Sequence, residues 1–354
     1  MIGGLKRRFL KPKEVNMKRV NGIINVGNII CLVFFLVVLL FVGHARSAPE
    51  KQIVLRLAHE GSATSSRQMT GLKLVELTNK YTSGRLKIEI YPSATLVPAA
   101  EQIRATQVGT VDMSFITAGT LPAPSFSIFY LPFLFQDQEH CYRFEDHPAG
   151  GLKMLKEELP KHALMGLWIL ETGRGGFIST KPIKTIDDFK GVKWCSTNPS
   201  INTVFEVLGA STVQVASGDA YVAFQQGVAN GRVTNLTIAV SSRWHEVAKY
   251  WLEYPVNYAA VGCVMNLDKW NSLPADIRTA LMTKVFPEVR EYGKKFLEKE
   301  EVDARKTFTA SGGAIIPGDW FAAQVKPMLV EQKYPKWVPK IGKEYIELAN
   351  SLKR

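Results

Sequence analysis

The chain has 354 residues, 46% hydrophobic and 21% charged, which excludes collagen-like, wholly disordered and multi-span membrane proteins. Lys plus Arg number 44 against 32 Asp plus Glu, a net charge of +12, yet eight basic residues and one acid fall within residues 1–48. Beyond that segment the balance is 36 to 31, so no basic stripe for nucleic acid remains.

Residues 29–43 form an uncharged apolar run behind a leader carrying Lys6, Arg7, Arg8, Lys11, Lys13, Lys18 and Arg19. The run suits a signal h-region of ~7–15 residues better than a spanning helix of ~20. Small residues follow at Gly43, Ala45, Ser47 and Ala48, so cleavage is expected between Arg46 and Pro49. An uncleaved anchor is the alternative, and Met17 is a second possible start. Both readings carry residues 49–354 across the membrane. Cys31 sits too early in the run for lipid attachment. Cys141, Cys195 and Cys263 then allow at most one bridge, so disulfides do not hold this fold.

The remainder alternates strands with helices. Ile53–Leu57 reads as a strand breaking at His59-Glu60-Gly61. Ser65 or Ser66 caps a helix with Met69, Leu72 and Val75 on one face, stopped at Ser83-Gly84. Leu86–Ile90 alternates apolar and charged residues, the period of a strand. Gln107–Asp112 and Gln225–Asn230 echo each other as helix stops that hand over to strands at Met113–Ile116 and Arg232–Asn235. Leu164–Leu170, Gly191–Cys195 and Val213–Val215 complete the strands. Between residues 275 and 308 an apolar repeat (Ile277, Leu281, Val285, Val289, Tyr292, Phe296), with Ser272 as its cap, makes a helix of roughly 51 Å that Pro287 should kink. The βαβα order predicts an α/β architecture with largely parallel sheets, in which ligands sit beyond the carboxyl ends of strands. His59, Thr117, Cys195 and Ser217 lie at or near such ends.

Enzyme signatures are missing: there is no P-loop, H-E-x-x-H, C-x-x-C or G-x-S-x-G. His59, His140, His147, His162 and His245 lack zinc-ligand spacing, and no metal or cofactor is expected. Cys195 served by His59 leaves a secreted thiol-dependent or hydrolytic enzyme as the rival reading, although a lone Cys is usually a buried small hydrophobe.

An ordered set of short motifs runs from about Ile53 to Trp320. It comprises Ser83-Gly84-Arg85 leading to Ile90-Tyr91-Pro92-Ser93, Gly109–Met113, Tyr130-Leu131-Pro132-Phe133, Lys181-Pro182-Ile183, Asp188–Lys193, Ala220–Val228 and Leu273-Pro274. In that order the chain resembles the extracytoplasmic solute-binding subunit of tripartite ATP-independent periplasmic (TRAP) transporters, of the C4-dicarboxylate-binding type. The resemblance implies a two-lobed α/β binding protein with a hinge, a long helix bracing both lobes, and solute enclosed between them. It also implies docking on a TRAP permease pair driven by an ion gradient, with a mostly monomeric chain and no nucleic-acid partner. A sensor for a signalling receptor is a further alternative. The expected division is 49–172 plus 260–299 for lobe I, and 173–259 plus 300–354 for lobe II.

The resemblance also nominates the ligand-binding residues. An arginine that clamps the solute carboxylate is usual after the D-[LF]-K-G-[LV]-K segment, and here Cys195 stands in its place. Arg174 matches a second family arginine, with a hinge residue bonding carbonyls as the lesser alternative. Thr234, with Asn235 alongside, falls where an asparagine is usual. Glu60, Thr117 and Thr120 fall at first-lobe cleft positions and Ser217 at a second-lobe one, with Arg232 and Asp219 close to matched positions. Glu60 could instead cap the helix near Ser65, and Thr117 and Ser217 could be plain strand-end hydroxyls. Trp194 is expected in the core. With the clamp lost at Cys195, the expected solute carries at most one carboxylate, held mainly by Arg174, or is hydroxylated.

Overall fold

A computed structural model describes residues 52–354 apart from Thr197 and Ala216, and without the side chains of Glu171 and Ser217. The export segment expected at 1–48 therefore lies outside the described residues. A single nine-stranded sheet runs β2-β1-β3-β8-β4-β7-β5-β6, with β9 beside β8. In chain order these are β1 (Ile53–His59), β2 (Leu86–Tyr91), β3 (Met113–Thr117), β4 (Leu164–Ser179), β5 (Lys193–Cys195), β6 (Ser211–Val213), β7 (Gly231–Asn235), β8 (Tyr250–Asn266) and β9 (Ala314–Pro317).

Parallel pairs lie at both ends: β1 with β2 and β3, and β5 with β6 and β7. The centre departs from the expectation of largely parallel sheets. β4 and β8 are far longer than the sequence period revealed, and they pair antiparallel from one lobe into the other. β3 joins the second half of β8, whereas β7 joins the second half of β4. The β4–β8 register slips between Glu171 and Arg174, where Gly173 adopts φ +119°, a conformation open to glycine. A β-carbon at Gly173 would stand 2.6 Å from Asn235 Nδ2, whose amide donates to the Thr172 carbonyl at 2.8 Å.

The helix Ser66–Tyr81 begins at Ser65 as expected, but buries Thr70, Gly71, Leu74, Leu77 and Thr78. Met69 and Val75 are only partly covered and Leu72 is exposed, because the helix wedges between the sheet and the long helix. That long helix starts after Pro274, not Ser272, and its irregular turn is a π-segment at Leu281–Val285. Pro287 opens the following Phe286–Ala310 segment, where a missing amide costs least. Val285 and Val289 are buried beneath it in the first-lobe core with Leu55, Leu77 and Trp168.

Strand alternation divides the second lobe between two cores. Phe177 and Trp194 face one, with Trp194 wholly buried against Phe177, Phe189 and Phe205. Ile178 and Cys195 face the other, with Phe224, Trp244 and Phe308. The first of these cores draws buried residues from both expected lobes. The C-terminal helices Tyr334–Ile341 and Lys343–Ser351 pack on residues 124–145 of the first lobe. His140 Nε2 meets the Ala349 carbonyl at 2.6 Å, and Arg143 Nε donates to Leu352 at 3.1 Å. Among the described residues, no helix is long and apolar enough to cross a membrane.

Candidate functional site

Adjacent parallel strands β1 and β3 end at His59 and Thr117, which brings the residues that follow them to one edge of the sheet. The helix capped by Ser65 places Arg67 in its first turn, facing that edge. Arg67 donates from Nη1 to Glu60 Oε1 at 2.7 Å and from Nη2 to Thr117 Oγ1 at 2.8 Å. Thr117 in turn donates to Glu60 Oε1 at 3.1 Å, closing a triangle. Arg67 is the main reason the Glu60 carboxyl is held below the usual carboxylate range, against the opposing effect of burial. Glu60 therefore spends its oxygen on Arg67 and Thr117, while the helix cap itself is the Ser65 hydroxyl.

His59 is fully buried, its Nε2 2.9 Å from Gln68 Oε1 and its ring tilted over Phe115. Burial lowers its pKa to about 4, so it is neutral at pH 7. It ties the first turn of the helix to β1.

Across the cleft, β5 ends at Cys195, directly paired with Arg232 of β7. The Arg232 guanidinium lies 3.5 Å from Cys195 Sγ, donates to the Val215 carbonyl at 3.0 Å and covers the Trp244 ring at 5.3 Å. Only 7% of Arg232 is exposed, yet its charge reaches Glu60 and helps hold that carboxyl ionised. Cys195 has no exposure, and burial pushes its thiol pKa up. Thr234 lies two residues beyond Arg232 on the same face, nearly buried. Ser217 opens the short turn before the helix Ala220–Gln225.

The two walls touch at Gly119. A β-carbon there would stand 2.7 Å from the Tyr130 ring and 2.8 Å from Asn198 Nδ2 of the opposite lobe. Asn198 caps the helix Pro199–Val207 through Oδ1, which leaves its amide turned to Gly119.

Arg174 lies elsewhere. Its backbone N and Nη2 reach Glu301 of the long helix at 3.4 and 3.0 Å, and half of its side chain is exposed. With Trp251, Glu253, Tyr254 and Arg305 it lines a small cavity of about 50 Å³. The structure thus brings Glu60 and Thr117 together through Arg67, while Cys195 is fully buried in a second-lobe core and Thr234 is nearly buried two residues from Arg232. Three residues at these contacts escaped the sequence reading: Arg67 between Glu60 and Thr117, and Tyr130 and Asn198 beside Gly119. Only Arg67 had a visible signal, a cation in the first turn of a capped helix seven residues after Glu60. Among the described residues, no three His, Cys, Asp or Glu side chains form a metal-ligand set.

Residues 57–325 match the family described as bacterial extracellular solute-binding protein, family 7. The chain belongs to that family. Family 7 proteins of this kind are the solute-binding subunits of TRAP transporters. The C4-dicarboxylate-binding periplasmic protein of Rhodobacter capsulatus is 28% identical over 73% of this chain and 78% of its own length. The 2,3-diketo-L-gulonate-binding periplasmic protein of Escherichia coli is 27% identical over 70% and 76%. Among solved structures, the galactonate complex from Advenella mimigardefordensis superposes with a TM-score of 0.79 at 21% identity, covering 85% of this chain and 98% of that one. The D-erythronate-bound protein of Polaromonas gives 0.78 at 22%, covering 86% and 100%. This family 7 chain is an extracytoplasmic solute receptor with the two-lobed fold of those structures.

Proposed function

We propose that this family 7 protein captures a small organic acid with one carboxylate, or a closely related hydroxylated compound, and hands it to a TRAP permease. The observation that carries this reading is the Arg67–Glu60–Thr117 cluster at the shared end of β1 and β3, which sets carboxylate and hydroxyl oxygens at the strand edge where ligands of α/β sheets bind. Relatives of this fold hold galactonate and D-erythronate, acids of that description. The mature chain works outside the cytoplasm, exported by its N-terminal segment, as a monomer with no nucleic-acid partner. Cys195 is sealed from solvent and His59 is bonded to Gln68, which favours the solute receptor over the rival thiol enzyme.

A thermal-shift screen of D-erythronate, D-galactonate, pyroglutamate and succinate tests the reading, with product analysis of the same mixtures. A ligand at 100 times its dissociation constant adds ~2.7 kcal/mol to native stability, well within reach of the screen. One or more monocarboxylates should stabilise the protein and return unchanged. Turnover of any of them, or stabilisation by succinate alone, would defeat the proposal.

A further inference from the structure

We infer that the small cavity between the Ser66–Tyr81 helix, the long helix and the sheet receives a methyl-sized apolar group of the solute, so that the receptor prefers acids ending in a methyl over acids ending in a hydroxymethyl. This rests on the solute-binding reading and specifies its substrate class. The first argument is composition. Phe115, Trp168, Leu170, Val261 and Leu297 line a partly open cavity of about 20 Å³, room for one water- or methyl-sized group. A resident water needs about two to four polar partners. Two polar residues of this wall are already spent: the Thr172 hydroxyl donates to the Ala259 carbonyl at 3.1 Å, and Arg67 uses both terminal nitrogens on Glu60 and Thr117.

The second argument is how the space is kept. Protein interiors leave few gaps of this size unfilled. Gly293 lies in the interior of the Phe286–Ala310 helix, where glycine is less stable than alanine. A β-carbon there would stand 2.4 Å from Leu170 Cδ2 and 3.5 Å from Thr70 Oγ1, both residues of the cavity wall. A side chain at 293 would displace Leu170 and take up the open space. The unfavourable glycine thus keeps the recess clear.

The third argument is continuity with the candidate site. Arg67 belongs to both places: its guanidinium closes the triangle with Glu60 and Thr117, and its side chain lines the cavity. Val261 of β8 is the register partner of Thr117, so the two side chains stand side by side on one face of the sheet. Phe115 lies on that same face, two residues earlier on β3. A solute whose oxygens meet Glu60 and Thr117 therefore has an apolar recess directly beside them. A hydroxyl pushed into it would lose its water without gaining a partner, whereas a methyl would lose nothing.

The test compares 6-deoxy-D-galactonate with D-galactonate, 4-deoxy-D-erythronate with D-erythronate, and D-lactate with D-glycerate by calorimetric titration. In at least one pair the wild-type protein should bind the methyl-ended acid roughly three- to tenfold more tightly, the value of one buried methyl group. Gly293→Ala, which fills the recess, should bring that ratio to within about twofold. A role in packing alone would move the stability of this variant and leave the ratio where it was. The inference falls if every pair binds equally, if the hydroxymethyl acids bind more tightly, or if the ratio survives in folded Gly293→Ala; solute binding stands in each of these cases. Binding of nothing in the panel by the wild-type protein overturns the solute-binding reading and the inference with it. Should Gly293→Ala not fold, Val261→Thr, which sets a hydroxyl in the cavity wall, decides by the same ratio.

Discussion

The two walls of the cleft solve the same problem, holding charge at the edge of a sheet, in opposite ways. On the first wall Arg67, Glu60 and Thr117 satisfy one another, so the charges nearly cancel and the hydrogen bonds close on themselves. On the second wall Arg232 is nearly buried, and its contacts include a carbonyl, a thiol and an indole. A self-contained wall offers shape and hydrogen bonding, and a nearly buried cation offers field. Orientation of a bound molecule comes from that difference.

The largest expected effect tests how far the first wall depends on a neutral histidine. Folding lowers the His59 pKa from 6.5 to about 4, so between those values the unfolded chain binds more protons. Stability from this residue is complete above pH 6.5 and is lost as pH falls toward 4, by on the order of 3 kcal/mol. Urea unfolding of wild type and His59→Gln at pH 7 and pH 4.5 measures it. The variant should lose less stability on acidification, and parallel pH profiles would show that His59 contributes nothing to the slope.

Breaking the triangle comes next. Arg67→Ala removes two charged hydrogen bonds and should cost about 1.5–3 kcal/mol. Adding Glu60→Gln to that variant should recover stability, since the stranded carboxylate is what hurts. Additive losses in the double variant would mean that the two residues act independently.

The contact between the walls is tested at Gly119. A β-carbon would overlap Tyr130 and Asn198, so Gly119→Ala should either cost ~1–3 kcal/mol or force the lobes apart. Small-angle scattering separates the outcomes through the radius of gyration. A variant with unchanged stability and unchanged scattering would show that the lobes do not meet there in solution. The smallest effect belongs to Arg174 and Glu301, a pair half open to water on the arginine side. A double-mutant cycle with Arg174→Gln and Glu301→Gln should give a coupling of only ~0.2–1 kcal/mol. A larger coupling would make this pair a structural clasp.

Much of the fold was legible because local rules wrote it. Ser65 caps its helix, and Gly109 and Gly227 take the positive φ that ends theirs. β1, β2, β3 and β7 fall where alternation and breakers placed them. Trp194 is in the core because its neighbour Cys195 had to face the other way. The length of β4 and β8 was not legible, since a strand buried on both faces loses its two-residue period and Gly173–Gly176 reads as a turn. The buried face of the Ser66–Tyr81 helix was misjudged for a related reason. It packs through Thr70, Gly71 and Thr78, residues that carry no apolar signal.

By itself, then, the sequence determined the element order, the strand ends where a ligand edge forms, and the family to which the chain belongs. Each of these depends on residues close in the chain or on the order of short motifs. Tertiary structure alone decided which side chains share the cleft. Arg67 reaches Thr117 across fifty positions, Arg232 reaches Cys195 across thirty-seven, and Arg174 reaches Glu301 across 127. Hydrogen bonds and charges act over a few ångströms of space, and only the paired register of distant strands and the path of the long helix bring such residues that close.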